Sequence, residues 1–122
     1  HRIFIGKFPM PELNDIQNYH AHVYYDAETI DQARALLMQA RDRFGLEMGR
    51  MHERLVGPHP RWSCQLTVPV ETFATAIPWL NLKRDGLTIF VHPQTGDDLY
   101  DHRDAAIWLG DSVPLNIDMF LR

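Results

Sequence analysis

An α+β fold, a ferredoxin-like βαββαβ sandwich with a four-stranded antiparallel sheet and two helices on one face, is what this sequence predicts. Three observations lead to it. Apolar and aromatic residues alternate through Tyr19-His20-Ala21-His22-Val23-Tyr24-Tyr25 and again through Leu87-Thr88-Ile89-Phe90-Val91-His92, the period of a half-buried strand. Two other segments, 28–44 and 71–83, repeat their apolar residues at helical spacing. Read in order, with further strands at 46–56 and 62–68, the elements run β-α-β-β-α-β. A length of 122 residues suits one domain with its own core, so residues 1–122 read as a single domain.

Each element has its local reason. Residues 1–18 are mixed and contain Pro9 and Pro11, so they read as an N-terminal arm or a short edge strand. Residues 19–26 form the first strand, rich in aromatic and β-branched positions. The first helix starts at a cap supplied by Thr29 or Asp26. It repeats Ile30, Ala33, Leu37, Ala40 and Phe44 on one side and stops at Gly45. Residues 46–56 alternate more weakly, and Gly57-Pro58-His59-Pro60 is a turn. Strand 62–68 follows. Helix 71–83 carries Phe73, Ile77 and Leu80 on its apolar side, with a kink expected at Pro78. Asp85-Gly86 turns the chain into strand 87–92. Beyond it come a loop through Asp97-Asp98, a short helical piece near 101–109, and a tail, 113–121, that offers an extra edge strand.

Charge and composition exclude several function classes. A net charge of −4 with no block of Lys or Arg argues against a nucleic-acid partner. No apolar run reaches the roughly 20 residues of a membrane helix, and no signal-like segment is visible. The lone Cys64 cannot form an internal disulfide, so a cytoplasmic location is expected. Glycine-rich phosphate loops, G-x-S-x-G, H-E-x-x-H and C-x-x-C are all absent.

The histidines carry the chemistry. The more apolar set on the strands is Ala21, Val23 and Tyr25 with Trp62, Cys64, Leu66 and Val68, and Leu87, Ile89 and Val91; this is the helix-covered face. The other face holds His20, His22 and Tyr24, then Ser63, Gln65 and Thr67, then Thr88, Phe90 and His92. It is polar and aromatic, unlike a lysine- and glutamate-rich solvated surface. In the predicted topology strands one and four are antiparallel neighbours. His20 then lies beside His92, with His22 one pleat away, and three imidazoles converge as candidate metal ligands. His59 is expected at the opposite end of the sheet. His102 reads as a surface group at a helix start. Trp62, Trp79 and Trp108 read as core anchors, and Cys64 as a buried, inert thiol. Asp97-Asp98 reads either as turn and capping residues or as a source of one carboxylate ligand.

These segments together resemble the small DOPA 4,5-dioxygenase family. The matching stretches are 19–25, 57–60, 87–99, Asp101-His102 and Ala106-Ile107-Trp108-Leu109-Gly110, and the likeness extends over about residues 19–120. The resemblance implies extradiol cleavage of L-DOPA or a related catechol by O2 at non-haem Fe(II), with zinc or another divalent metal also compatible with a histidine set. In that setting His20, His22 and His92 are the metal candidates, with Asp98 or Glu53 as the carboxylate. His59 or His52 is the acid/base candidate, and Tyr24 a hydrogen-bonding group to the ring. Arg50 and Arg54 suit a substrate carboxylate, with Gln65 on the same face. A homodimer is expected, because a sheet face left uncovered with aromatic groups needs cover. The alternatives are a non-enzymatic ferredoxin-like module that binds an aromatic acid or a partner protein, and a metal enzyme of other chemistry such as an isomerase.

Overall fold

Strand β1, Tyr19–Tyr25, is the centre of a single five-stranded antiparallel sheet. The structure, a computed structural model, describes residues 10–121. Residues 1–9 of the expected arm lie outside the described residues; within 10–18 the chain forms a 3-10 turn at Leu13–Asp15. The strand order is β2 (Glu47–Met48), β3 (Trp62–Val68), β1, β4 (Ile89–Pro93), β5 (Ile107–Leu109). Strand one therefore sits between strands three and four, the neighbours expected from the β-α-β-β-α-β order.

Helices α1 (Ile30–Phe44) and α2 (Phe73–Lys83) cover one face. Helix α1 buries Ala33, Leu36, Leu37 and Ala40, the i, i+3, i+4, i+7 stripe of an amphipathic helix. Asp26 organises its start: the side chain accepts from the Glu28 and Thr29 N–H groups and from the Thr29 hydroxyl. Thr29 occupies the N-cap position but makes no side-chain cap bond. Gly45 ends the helix at φ 67°, a conformation that favours glycine. Helix α2 buries Ala76, Ile77 and Leu80, and continues through Pro78 to Lys83. Ala21, Val23, Tyr25, Cys64, Leu66, Val68, Ile89 and Val91 meet these stripes in one core, the strand set that the apolar pattern assigns to the helix side. Cys64 is fully buried, and burial pushes its thiol up to about 11.

Four expectations are corrected. The second strand is two residues long, not eleven. Past Met48 the chain keeps bonds from Gly49 N–H to Gln65 O and from His52 N–H to Ser63 O. The second of these is out of step with the ladder by one residue, as at a bulge, and Gly57, Pro58 and Pro60 prevent a return to pairing. The extra edge strand is Ile107–Leu109, paired to β4, where a helical piece was expected. The helix there is α3, Asp98–Arg103, and the tail expected as a strand carries a 3-10 turn at Asp118–Phe120. Trp108 stacks on Phe90 with ring centroids 4.7 Å apart, on the face away from α1 and α2. That second face is not open. The 49–60 segment, α3 and the tail lie over it, and Tyr24, Phe90 and His92 are each no more than 1 % exposed. The premise for a homodimer, an uncovered aromatic face, is therefore removed. Among the described residues no helix is long and apolar enough to cross a membrane.

Candidate metal centre

The site is built by one register. In the β1–β4 ladder His20 is the direct partner of His92, and His22 of Phe90. His20 and His22, two apart, share a face, so three imidazoles meet on the side away from the helical core. One ring nitrogen from each of His20, His22 and His92 lies within 4.8 Å of the others. Nε2 of His22 is 3.0 Å from Nε2 of His92. Two nitrogens bound at right angles to an ion about 2.1 Å away would be about 3.0 Å apart, so this pair suits a shared ion. Nδ1–H of His92 donates to the Pro93 carbonyl at 2.8 Å, which leaves its Nε2 lone pair directed into the group.

Burial and crowding keep these rings neutral. His22 and His92 are buried and His20 half-buried. Burial, then the charge of His102, holds His92 down to about 3. Burial, then His102 and His52, holds His59 at about 4. His22 lies well below the usual histidine range through burial and then its neighbours His59, His92 and His20, and His20 is lowered mainly by burial. Neutral imidazoles offer the lone pairs a metal needs, and imidazole suits iron, zinc, copper or nickel. The group can hold a metal ion. Within the described residues no carboxylate belongs to it. Glu53 and Asp98 are exposed; the Asp98 carbonyl accepts from His102 Nδ1–H at 2.7 Å. Asp97 is a capping residue, accepting from the Tyr100 N–H.

Two histidines stand elsewhere than expected. His59 is not at the far end of the sheet. The 49–60 segment folds back over the face and sets its ring 4.2 Å from that of His22. His102 is half-buried rather than a free surface group. Helix α3 brings it against the His92 ring at 4.0 Å, with Phe120 of the tail 4.5 Å away on it. Asp101, fully buried beside it, accepts from the Thr95 N–H and hydroxyl at 2.9 and 2.6 Å and ties the loop after β4 to α3. Neither His102 nor Asp101 shows in a periodic pattern. The one local signal is the i, i+4 spacing of Asp98 and His102.

A cavity of about 200 Å³ opens beside the histidines and is lined by His22, His52, His59, Arg50, Ser63 and Gln65 among others. It thus gathers a metal candidate, both acid/base candidates and two of the substrate-binding candidates. Arg54 is exposed and does not line it. Tyr24 does not reach it either: its hydroxyl is bonded to His59 Nδ1 at 2.8 Å. A larger cavity, about 570 Å³, lies where β1 ends, between Tyr24, Tyr25, Asp26, Arg61 and Trp62. None of the three clustered histidines lines it, so volume and chemistry point to different places, and the ligand set decides for the smaller one.

Comparison with known proteins adds identity to this geometry. A family model for the Dopa 4,5-dioxygenase family matches residues 19–119. A protein of Amanita muscaria named DOPA 4,5-dioxygenase is 32 % identical over 85 % of this chain, which spans 50 % of the length of that relative. An uncharacterized 21.2 kDa protein of Botryotinia fuckeliana is 33 % identical over 95 % of this chain and 70 % of its own length. Among solved structures, a "putative dioxygenase" from Nostoc punctiforme aligns with TM-score 0.78 at 38 % identity, covering 93 % of this chain and 97 % of that one.

Proposed function

The chain belongs to the Dopa 4,5-dioxygenase family, and on that premise we propose that it is a non-haem Fe(II) extradiol dioxygenase acting on L-DOPA or a closely related catechol. The observation that carries the reading is the convergence of His20, His22 and His92 within 4.8 Å, with His22 also lining a cavity of about 200 Å³. The name of the Amanita muscaria relative supports DOPA as the substrate class. The architecture is, in this reading, a ferredoxin-like sandwich whose 4-1-3-2 sheet has gained β5 at one edge.

The roles follow from chemistry and position. His20, His22 and His92 hold the metal, which when bound activates O2 and the catechol toward each other. Cleavage of one ring C–C bond incorporates both atoms of O2, leaving an aldehyde and a carboxylate. Arg50 offers a guanidinium fork to the substrate carboxylate, and Gln65 and His52 supply further polar contacts from the cavity wall. Phe90, fully buried between His22, His92 and Trp108, keeps water from the inner side of the histidines. His59 sits where it can hydrogen-bond a reacting oxygen.

The test is anaerobic loading of the purified protein with Fe(II), addition of L-DOPA, and admission of O2 while uptake and the visible spectrum are recorded. The expected result is one O2 consumed per DOPA with growth of a yellow ring-opened product. Bound iron without uptake would overturn DOPA as substrate, and failure to bind divalent metal would overturn the centre itself.

A further inference from the structure

We infer that Tyr24 is a positioning residue that sets the tautomer of His59, so that His59 presents Nε2–H to the cavity beside His22 as a hydrogen-bond donor to a ligand oxygen. The donor role toward a substrate oxygen rests on the dioxygenase reading; the tautomer does not.

The argument is a count of protons. Tyr24 lies on β1, is 1 % exposed, and its hydroxyl is 2.8 Å from Nδ1 of His59. Among the described residues that nitrogen is its one hydrogen-bond partner. A buried phenol has one proton to place, and leaving it without an acceptor is costly. If Nδ1–H donated to the phenol oxygen, the phenol proton would have no described acceptor. If the phenol donates, both groups are satisfied. Nδ1 is then the acceptor, and a neutral imidazole that accepts at Nδ1 carries its hydrogen at Nε2.

The ring is held so that this choice matters. His59 is flanked by Pro58 and Pro60, which restrict the backbone on both sides. Its N–H donates to Val56 O at 3.1 Å, and the preceding Pro58 carbonyl accepts from Asn116 N–H at 2.9 Å. The ring packs 4.2 Å from His22 and 6.2 Å from Phe90. No described residue takes up Nε2, and His59 lines the cavity with His22. The rings of His59 and His22 are neighbours, but His59 is not one of the three residues whose nitrogens converge, and an Nε2 that bears hydrogen has no lone pair to offer an ion. Tyr24 therefore separates a ligand-like histidine from a donor histidine at a few ångströms' distance.

The experiment is long-range proton–nitrogen correlation spectroscopy on metal-free protein labelled with ¹⁵N-histidine at neutral pH, with His59 assigned by its loss in His59→Gln. The expected pattern is unprotonated Nδ1 and protonated Nε2 for His59, replaced in Tyr24→Phe by protonated Nδ1 or a tautomer mixture. Protonated Nδ1 in the unaltered protein overturns the inference, and that spectrum alone is decisive even if the variant fails to fold. An unchanged pattern in a folded Tyr24→Phe also overturns it. In iron-loaded enzyme Tyr24→Phe is expected to lower kcat roughly ten- to a hundredfold while KM changes less than about twofold. His59→Gln, whose amide N–H falls near the Nε2 position, is expected to keep more activity than His59→Asn; equal loss in both overturns the donor role. Absence of O2 uptake by the unaltered protein would instead count against the dioxygenase reading and leave the tautomer result standing.

Discussion

The three clustered histidines differ in what they do besides offering nitrogen. His20 is half-buried, whereas His22 and His92 are buried and His92 also donates to Pro93. His20→Ala is therefore the clean ligand deletion. It should abolish metal retention while changing the stability of the metal-free fold by less than about 0.5 kcal/mol, as read from metal content after dialysis and from urea midpoints. His92→Ala should also lose the metal, but with about 1–3 kcal/mol of destabilisation from the lost bond and the cavity it leaves. His102 is not one of the three converging histidines but packs on His92, which is, and groups that orient a ligand typically change affinity ten- to a hundredfold. We expect His102→Ala to weaken metal binding by about tenfold, measured by competition with a chromophoric chelator. An unchanged affinity would make the His92–His102 stack mere packing.

At the scale of elements, the site depends on segments without regular pairing. The loop after β4 is joined to α3 through one carboxylate, Asp101, which has no exposed surface and takes both the N–H and the hydroxyl of Thr95. Asp101→Ala leaves a buried N–H unsatisfied and should cost about 2–3 kcal/mol, seen as a lowered denaturation midpoint and as loss of the His102 contribution to metal affinity. A midpoint within 0.5 kcal/mol of the unaltered protein, by the scale usual for surface changes, would show that α3 docks without it. Gly45 makes a purely backbone contribution. A Cβ there would meet nothing within 4 Å, but φ is 67°. Gly45→Ala should therefore cost about 1 kcal/mol by shortening α1, with the metal centre unaffected.

For the whole molecule, burying several imidazoles makes metal-free stability depend on pH. His59 and His92 titrate near 4 and 3 in the folded state through burial and the nearby His102, against about 6.5 unfolded. Above pH 6.5 both states hold these rings neutral and no stability is lost. Below it the unfolded chain takes up protons that the folded rings refuse, so stability falls as pH drops from about 6.5 toward 4. The limiting slope is about 1.4 kcal/mol per pH unit for each such histidine. Urea midpoints at about pH 7.5, 6 and 5 check the sign; the lowered carboxylates of Asp26 and Asp42 titrate below that window. A flat profile would contradict the neutral cluster. Bound metal should raise the midpoint at neutral pH by mass action and steepen the acid loss, because protons and metal compete for the same lone pairs.

Strand alternation alone places His20 and His22 on one face and assigns Ala21, Val23, Leu66, Val68, Ile89 and Val91 to the other, because side chains two apart must point the same way. It also makes the helical stripe of α1 and its stop at Gly45 legible, and the β-α-β-β-α-β order brings His92 beside His20. These are consequences of local geometry, which residue type and spacing encode directly. The positions of His59 and His102 are of another kind. They are set by where the irregular 49–60 segment, α3 and the tail pack, through contacts such as Tyr24 to His59, Asn116 to Pro58 and Phe120 to His102. Such contacts join residues far apart in the chain and have no period, so only the tertiary structure could decide that the second face of the sheet is closed and that five histidines, rather than three, meet there.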